Sequence, residues 1–484
     1  MNVLFVAAEC TPFAKIGGLA DVIGALPHAL GSLGHVVRVA LPHHGVVDDA
    51  AFGIERRATF EMPWDGGTAH VEVAHAVREG VVYYFLRGFP FFSGHERFIY
   101  HEDEGIDVGR FLFFSAAVLQ WTRRLGEEEG WQPDLFHVHD WHTALVPYLL
   151  QRLYGDDTAL AHAATLLTIH NMRYQGWGVG WHLARAGLPP VDHPLLAAAG
   201  RMDNCLAIGL AYSTMLSTVS PRYAGEIVTV EGGFGLDGLL HARSARLVGI
   251  LNGIDTRRWN PASSPHIAQR FDVDSLERRV RNKLALQAEL GLPQRADVPL
   301  VGVVMRLVEQ KGVDILVPAM RHMLSHAEMQ FVLLGAGQYR YESDVWWLGH
   351  DFPTKAAVRL VFDEPLSERI YAGCDLFVMP SLFEPCGIGQ MIAMRYGALP
   401  VVREVGGLAD SVAPDVGFLF RPYEAGALQE ALSRALEVYF NRPEEWRERQ
   451  RRAMLRDFSW EASAQRYVEL YREAVALHHR YKGK

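Results

Sequence analysis

The pentapeptide Gly17-Gly18-Leu19-Ala20-Asp21 occurs a second time at residues 406–410, close to the other end of the chain. Each copy follows an apolar, strand-like run and begins a pattern typical of a helix. Paired glycines at such a turn let the backbone approach a ligand closely, and the free N–H groups that open the helix favour an anion. The two copies therefore predict two nucleotide-binding folds that face one cleft. A plain strand-to-helix turn is the alternative interpretation of either copy taken alone.

Length and composition are consistent with a two-domain enzyme. The 484 residues exceed what one hydrophobic core accommodates. A net charge of −9 argues against nucleic acid or an anionic membrane as the main partner, because no basic surplus exists to neutralise phosphates. The four cysteines are widely spaced, which suits a reducing compartment. No signal peptide or membrane-length apolar stretch is visible, so we expect a cytoplasmic protein.

Short β-rich runs alternate with longer helical patterns, which is the signature of parallel α/β layers. We predict an N-terminal Rossmann-like domain at residues 1–245 and a second Rossmann-like domain at 246–460. A terminal helix at 461–484 is expected to cross back to the first domain, with a hinge near 243–250. Strands are predicted at residues 3–8, 36–41, 81–85, 135–138, 165–169, 247–251, 299–305, 330–334, 358–362, 376–379 and 399–402.

Arg306 and Lys311 follow the predicted strand at 299–305. Ligands of open α/β sheets bind beyond the carboxyl ends of the strands, so we expect both cations to project toward a ligand. A planar guanidinium and an ammonium suit the two phosphates of a leaving diphosphate. A solvated surface pair is the alternative. If the phosphate role holds, removal of either cation should reduce turnover far more than stability.

Glu384 lies in the segment Phe383-Glu384-Pro385-Cys386-Gly387, just after the predicted strand at 376–379. Proline and glycine shape a tight turn here, and a helix that begins near Gly387 would present unpaired N–H groups. Glu384 either caps that helix or faces a sugar, where it binds hydroxyls or stabilises an oxocarbenium charge. We prefer the sugar role.

Histidines are concentrated in the segment His137-Val138-His139-Asp140-Trp141-His142. Histidines at alternate strand positions share a face, as metal ligands do, but the His-x-His-x-Asp-His order of dinuclear hydrolases is absent. We predict no metal site: Asp140 and Trp141 line the cleft, and the first two histidines are packed and hydrogen-bonded. His170 ends the next strand, where it either donates a hydrogen bond to a substrate hydroxyl or is a satisfied loop histidine. The Asp-Val-Asp at 272–274 precedes a charged helix, which favours capping over metal binding.

These motifs resemble those of bacterial glycogen synthases and plant starch synthases, which are retaining glycosyltransferases of the glycosyltransferase-B fold. The resemblance covers essentially the whole chain. Its N-terminal motif, Lys-x-Gly-Gly-Leu-Ala-Asp-Val at 15–22, is highly specific, whereas Glu-Pro-x-Gly at 384–387 is shared by many relatives. The other matching segments are residues 137–142, 168–171, 174–176, 219–221, 251–255, 306–312, 406–410 and 457–460.

The resemblance implies transfer of glucose from ADP-glucose to the non-reducing 4-hydroxyl of an α-1,4-glucan, with retention of configuration and without a metal or other cofactor. The implied mechanism is same-face substitution, in which the leaving phosphate takes the acceptor proton. The catalytic residues that it implies are Glu384, His170, Asp140, Arg306 and Lys311. The substrate-binding residues that it implies are Lys15, Gly17, Gly18, Asp21, Tyr100, Asn171, Asn252, Cys386 and Gly387.

The same resemblance makes residues 1–245 the acceptor-side domain and residues 246–460 the nucleotide-sugar domain, and the roles of individual residues follow from it. Glu384 is expected beside the donor glucose, and His170 on a hydroxyl of that sugar. Arg306 and Lys311 stabilise the leaving phosphates, while Lys15 contacts the donor diphosphate and the acceptor side. Asp140 and Tyr100 line the glucose and acceptor side. Gly18 and Gly387 supply backbone donors.

Two positions depart from related patterns. Ile392 stands where related families place a second glutamate that holds the ribose, and Gly389 stands where these synthases often carry threonine. Base preference is therefore open, and a transferase that uses UDP-glucose or a small acceptor is an alternative. A catalytically idle glucan-binding protein is another. Glucan binding alone needs no diphosphate cations, so Arg306 and Lys311, together with Lys15 and Glu384, argue against the idle version.

Overall fold

The computed structural model describes residues 1–482, which form two compact units. Unit 1 comprises residues 1–253 together with the helix that begins at Trp460, and unit 2 comprises residues 254–459. Each unit contains one largely parallel sheet with helices, which confirms the predicted α/β class with two Rossmann-like domains. The acceptor-side and nucleotide-sugar roles of the two domains stay predictions.

The strands of unit 1 and then of unit 2 have the following bounds in residues 1–482. They are β1 (Asn2–Val6), β2 (Val36–Pro42), β3 (Glu55–Trp64), β4 (Gly67–Arg78), β5 (Val81–Gly88), β6 (Leu135–His139), β7 (Ala164–Ile169), β8 (Met215–Thr218), β9 (Leu247–Gly249), β10 (Leu300–Val304), β11 (Gln330–Leu334), β12 (Ala356–Arg359), β13 (Leu376–Met379), β14 (Leu399–Arg403) and β15 (Phe418–Phe420).

The α-helices of the described residues follow in chain order. In unit 1 they are α1 (Gly18–Ser32), α2 (Asp49–Phe52), α3 (Glu104–Glu129), α4 (Asp140–Thr143), α5 (Val146–Tyr154), α6 (Val179–Arg185), α7 (Pro194–Ala199), α8 (Cys205–Tyr212), α9 (Pro221–Glu226), α10 (Asp237–Ala242) and the terminal α19 (Trp460–Lys482). In unit 2 they are α11 (Arg279–Leu290), α12 (Val313–His326), α13 (Tyr339–Asp351), α14 (Glu364–Gly373), α15 (Gly389–Arg395), α16 (Gly406–Ser411), α17 (Ala425–Asn441) and α18 (Pro443–Leu455).

The nine-stranded sheet of unit 1 has the order β3-β4-β5-β2-β1-β6-β7-β8-β9. The strands from β5 to β9 in that order are parallel, and Phe5 of β1 pairs with Val39 on one side and His137 on the other. The chain reverses its winding direction beside β1, between β1 and β6. Ligands of such sheets bind at this switch point, beyond the carboxyl ends of the strands.

The six strands of unit 2 are all parallel in the order β12-β11-β10-β13-β14-β15. Numbered from β10, this is the 3-2-1-4-5-6 order of the dinucleotide-binding fold, and its switch point lies between β10 and β13. The two segments predicted to bind the leaving group and the sugar follow these two strands directly. The fold thus places Arg306, Lys311 and Glu384 at the edge where a ligand is expected.

The terminal helix α19 belongs to the core of unit 1. Tyr467, Tyr471 and Ala474 are fully buried in one cluster with Phe5 of β1 and Leu26 of α1. The apolar residues at helical spacing near the C-terminus therefore serve packing. This core needs residues from both ends of the chain.

The hairpin β3–β4 at the edge of the first sheet was not predicted. Its first strand alternates exposed and buried residues from Thr59 to Trp64, with the charged Glu61 on the exposed face, instead of forming an apolar run. The turn contains Asp65-Gly66, both with positive φ, which is the sequence signal of a two-residue hairpin. The short strands β8 and β15 were also missed, and β12 begins two residues earlier than predicted.

Among residues 1–482, we find no helix that combines the length and the apolar character needed to span a membrane.

Candidate active site

In unit 2, a lysine and a glutamate from the two switch-point loops form an ion pair. Lys311 Nζ lies 2.6 Å from Glu384 Oε2, and the Ser381 hydroxyl donates to the same oxygen at 2.9 Å. The Glu384 side chain is 6% exposed and that of Lys311 is 17% exposed. An ammonium has three N–H donors, so Lys311 keeps two for a ligand. The sequence predicted roles for both residues but not that they touch.

A backbone and a side-chain hydrogen bond of Gln310 connect the Lys311 and Glu384 loops. Leu382 N donates to Gln310 O at 2.9 Å, and Gln310 Nε2 donates to Phe383 O at 3.2 Å. Gly312, just after Lys311, has a φ of +73°, and a Cβ at this position would lie 2.1 Å from Pro380 O. Only glycine lets the backbones at residues 312 and 380 come this close. Gly312 thereby allows the short distance between Lys311 and Glu384.

Arg306, the other predicted cation, is exposed. It lies two residues beyond β10, where Val308 N donates to its carbonyl oxygen at 3.0 Å. Within the described part of the chain, its guanidinium makes no hydrogen bond or ion pair. An unpaired guanidinium at a switch point has all five donors available for an anion.

The helix after Glu384 begins at Gly389, two residues later than predicted, and no side chain caps it. The Glu384 side chain therefore does not serve as the helix cap that was the alternative to a sugar role. The Gly387 N–H makes no hydrogen bond within residues 1–482 and stays available to a ligand. Cys386 is buried, and its carbonyl oxygen accepts from Gln390 Nε2 at 3.2 Å.

The second Gly-Gly-Leu-Ala-Asp copy begins α16 and packs on the Glu384 loop. Gly407 N donates to Glu384 O at 3.0 Å, and a Cβ on Gly407 would lie 2.2 Å from Cys386 O. The paired glycines here serve a close approach of two backbone segments, because a side chain at Gly407 would separate them.

The two departures from related patterns lie in α15. Ile392 is 2% exposed and packs in the core. A Cβ at Gly389 would lie 3.2 Å from the Phe377 ring and 3.4 Å from the Tyr371 hydroxyl. Glycine at this position leaves the aromatic side chains room beneath the start of the helix.

In unit 1, the first glycine copy is held by a carboxylate that the sequence analysis missed. Glu9 Oε2 accepts from Ile16 N at 2.5 Å and from Gly17 N at 3.1 Å. The N–H of Gly17 is therefore occupied, while that of Gly18 makes no hydrogen bond in the described residues. Gly18 opens α1, and a Cβ at this position would have no atom within 4 Å, so a ligand has room to approach its N–H.

Lys15 and Asp21 lie on either side of these glycines and form an exposed ion pair of 2.6 Å. Thr11 Oγ1 also donates to Asp21 Oδ1 at 3.3 Å. The side chains of Lys15 and Asp21 are 43% and 31% exposed, so water screens the pair and its contribution to stability is small. Asp21 thus holds the Lys15 side chain next to the glycine loop. The pair is exposed, so the ammonium can exchange Asp21 for a ligand.

Tyr100 is half-buried and its hydroxyl donates to the Glu9 carboxylate. Burial raises the pKa of Glu9, and burial together with the charge of Glu9 raises the pKa of Tyr100 well above its usual value. The loop before Tyr100 is fixed by a buried pair on α3: Arg110 donates to Ile99 O and to Asp107. The tyrosine, Glu9 and the glycine loop therefore form one connected network.

Asp140 follows β6 with a φ of +53°, a conformation that is strained for a residue with a Cβ. Its Oδ1 accepts from His170 N at 2.7 Å and from Asn171 N at 3.3 Å. Burial raises the pKa of Asp140 to about 7; the two N–H donors oppose the rise and the charge of Glu9 adds to it. The carboxyl thus ties the ends of β6 and β7 together.

The predicted histidine of this unit, His170, contacts a second histidine. His170 Nε2 lies 3.1 Å from Nδ1 of the fully buried His139. Burial lowers the pKa of His170 to about 3, so the ring is neutral at pH 7. His137, also fully buried, hydrogen-bonds the Tyr471 hydroxyl at 2.8 Å and Thr168 Oγ1 at 2.6 Å. The packed and hydrogen-bonded roles predicted for His137 and His139 are confirmed.

The remaining predicted residues of unit 1 are local to its loops. Asn171 Oδ1 accepts from Arg173 N at 3.0 Å, which closes a side-chain turn after β7. Asn252 is buried, and its Oδ1 has no hydrogen-bond partner among residues 1–482. A buried acceptor without a donor is costly, and it is a place where a ligand donor would be favourable.

No group of three or more histidine, cysteine, aspartate or glutamate side chains in residues 1–482 is arranged to hold a metal ion. The acidic pair at 272–274 forms a side-chain turn, in which Asp272 Oδ1 accepts from Ser275 Oγ at 2.6 Å and Asp274 N at 3.1 Å. Helix capping, the role predicted for it, is not observed, because no side chain caps α11.

Comparison with known proteins decides the family. Residues 2–242 match the family model described as starch synthase catalytic domain, and residues 291–453 match glycosyl transferases group 1. The chain is 41% identical to a glycogen synthase of Streptococcus mutans, with 98% of this chain and 100% of the relative covered. It is 42% identical to a glycogen synthase of Syntrophotalea carbinolica, with 99% and 100% covered.

The chain belongs to the glycogen synthase family. The solved catalytic domain of starch synthase IV from Arabidopsis thaliana, bound to ADP and acarbose, matches it with a TM-score of 0.88 and 36% identity over 98% of this chain and 99% of that one. A sucrose-phosphate synthase from Thermosynechococcus elongatus shares the fold, with a TM-score of 0.60 and 19% identity. The resemblance stated from the motifs is confirmed, and the protein is a glycosyltransferase of the glycogen and starch synthase type.

Three residues that bond to candidate residues within their own unit were missed by sequence reasoning: Glu9, Ser381 and, as a partner of His170, His139. Glu9 had a usable signal, because a lone acidic residue directly after the apolar β1 run points to the carboxyl edge of the sheet. Ser381 likewise follows β13. The pairing of His139 with His170 had no local signal, since it depends on β6 lying beside β7.

Proposed function

We propose that this member of the glycogen synthase family transfers glucose from ADP-glucose to the non-reducing end of an α-1,4-glucan, with retention, in the cytoplasm and without a metal. The observation that carries the donor assignment is the exposed Arg306, unpaired in the described residues, which follows β10 in the same switch-point loop as Lys311 of the Lys311–Glu384 pair. The ADP bound to the similar starch synthase IV supports an adenine nucleotide.

In this proposal the cations of unit 2 act on the leaving group. The N–H donors of Arg306 make no hydrogen bond within the described residues. Lys311 has two N–H donors left after its bond to Glu384. Both stabilise negative charge as the bond between glucose C1 and the phosphate oxygen breaks. The acceptor 4-oxygen bonds C1 on the same face, and its proton goes to the departing phosphate oxygen, so that no enzyme nucleophile is needed.

Glu384 acts on the sugar. Its Oε2 accepts from Lys311 and Ser381, while its Oε1 makes no hydrogen bond within the described residues. A carboxylate held rigidly in this way stabilises the positive charge that develops at C1. From unit 1, the N–H of Gly18 and the ring of His170 serve as hydrogen-bond donors to the substrate, Lys15 as a cation, and Asp140 and Tyr100 as the lining of the glucose and acceptor side.

The test offers ADP-[¹⁴C]glucose and UDP-[¹⁴C]glucose in parallel, with glycogen as acceptor. We expect label in glycogen mainly from ADP-glucose, released as maltose by β-amylase, which requires α-1,4 linkage at non-reducing ends. Label only from UDP-glucose would contradict the donor, and glycogen binding without any transfer would identify an idle glucan-binding protein.

A matched pair of arginine variants tests the carrying observation. Arg306→Ala should lower turnover at least 10- to 100-fold, the rate equivalent of a charge-assisted hydrogen bond of about 1.5–3 kcal/mol. Arg447→Ala is the control, since Arg447 is an exposed arginine of α18 and makes no ion pair in the described residues. Equal activity of the two variants would remove Arg306 from the mechanism.

A further inference from the structure

The imidazole ring of His139 is buried and contacts His170, the side chain of unit 1 that we assign to a hydroxyl of the donor sugar. Its Nδ1 lies 3.1 Å from His170 Nε2, and no described group bonds its Nε2, which is also buried. His170 is only half-buried, and its Nδ1 makes no hydrogen bond within residues 1–482. The pair therefore leaves one ring nitrogen of His170 available.

The His139 ring has no freedom to turn. It stacks on Phe5 with ring centroids 5.4 Å apart, and its centroid lies 4.1 Å from that of the His137 ring. Its backbone N–H donates to Thr143 Oγ1 at 2.7 Å, which holds the end of β6. In a close-packed interior such a ring presents the same nitrogen to His170 at all times.

Burial lowers the pKa of both histidines, so each ring is neutral at pH 7 and carries a single proton. Two arrangements fit the bond between them. If His170 donates from Nε2, the proton of His139 is on Nε2, where a buried N–H has no acceptor. If His139 donates from Nδ1, its Nε2 is a buried acceptor without a donor, and for backbone groups a buried acceptor without a partner is less rare than a buried N–H without one.

We propose that His139 is a positioning residue that donates to His170 Nε2 and so keeps the His170 proton on Nδ1. His170 then donates, rather than accepts, the hydrogen bond to a hydroxyl of the donor sugar. This inference rests on the proposed function for the identity of the ligand. The tautomer itself does not depend on that function.

Wild-type protein labelled with ¹⁵N-histidine provides the direct test. Long-range ¹H–¹⁵N spectra distinguish the two tautomers, and the His170→Gln variant identifies the signals of His170. We expect the Nδ1–H form in the wild type without any ligand. The Nε2–H form would overturn the proposal whether or not the protein uses ADP-glucose.

Kinetics of three His139 variants separate positioning from packing. The amide nitrogen of Asn occupies the place of Nδ1, so His139→Asn keeps a donor to His170, whereas His139→Gln places its amide near Nε2 and His139→Ala removes the donor. We expect kcat/KM for ADP-glucose to fall about tenfold in the Gln and Ala variants, as for one misdirected hydrogen bond, and to recover in the Asn variant. An equal loss in all three would show a packing role only and overturn the proposal.

His137→Gln is the matched control. It replaces the neighbouring buried histidine, which bonds Tyr471 and Thr168 but not His170. We expect a lower melting temperature with unchanged kcat/KM and an unchanged His170 tautomer.

Full activity of His170→Gln would remove the sugar contact from the proposed function and leave the tautomer to be decided by the spectra. If His139→Ala does not fold, the Asn and Gln variants carry the comparison.

Discussion

The substitution Lys311→Ala should destabilise unit 2 as well as slow the reaction. The sequence predicted the same outcome for Lys311 and Arg306, a large loss of turnover with little loss of stability. The structure separates them, because Lys311 is paired with the buried Glu384 whereas Arg306 is exposed and makes no ion pair in the described residues. Removing Lys311 leaves a carboxylate that is 6% exposed with the Ser381 hydroxyl as its remaining side-chain donor.

The size of the effect follows from the burial of the pair. Breaking a buried ion pair by removing one partner costs about 3–5 kcal/mol. The lower end, about 3 kcal/mol, applies here because the Lys311 side chain is 17% exposed and water will reach part of the site. In a domain of this size, that lowers the melting temperature of unit 2 by about 6–12 °C. Arg306→Ala should stay within about 0.5 kcal/mol of the wild type, as most exposed substitutions do.

Calorimetry of Lys311→Met, Glu384→Gln and the double variant measures the coupling. Methionine keeps the length of the lysine side chain, and glutamine keeps the shape of the glutamate. We expect the double variant to be more stable than Lys311→Met, with a coupling free energy of about 1–3 kcal/mol. Denaturation in urea provides an independent free energy of unfolding.

Two results would refute this reasoning. One is a melting temperature for Lys311→Ala that equals that of Arg306→Ala, because the pair would then contribute nothing. The other is strict additivity of the two single substitutions, which would mean that the side chains do not interact in solution.

Three further predictions concern metal, pH and the glycine motifs. We expect incubation with EDTA to leave transferase activity unchanged, and a loss that added Mg²⁺ or Mn²⁺ restores would contradict the metal-free mechanism. The raised pKa of Asp140, about 7, means that the folded state holds a proton that the unfolded state releases above its usual pKa of 3.8, so stability falls as the pH rises from about 4 to 7. Asp140→Asn should remove this loss of stability between about pH 4 and 7. The loss is at most about 4 kcal/mol, and it is smaller than that limit because water partly screens the half-buried side chain; an unchanged pH profile of unfolding would refute the prediction. Gly407→Ala should lower the melting temperature because its Cβ would lie 2.2 Å from Cys386 O, whereas Gly18→Ala, with no atom within 4 Å, should not, and equal melting temperatures would contradict this packing.

Motif chemistry located most of the candidate site because it is local. A strand followed by a cation or a carboxylate places that side chain at the carboxyl edge of a parallel sheet, whatever the neighbours are. Arg306, Glu384, Asp140 and His170 could be named on that basis. The hairpin β3–β4 was missed, since its exposed face carries charges and its strands lie at the sheet edge.

The amino-acid pattern by itself determined the α/β class, the family and the loops that carry the chemistry, because hydrophobic periodicity and turn residues act over a few positions. Tertiary structure alone decided which of those residues touch. Lys311 meets Glu384 because β10 and β13 are neighbours in the sheet, and His139 meets His170 because β6 lies beside β7. Strand order is set by long-range packing, including the terminal helix that completes the core of unit 1, and no local stretch of sequence contains that information.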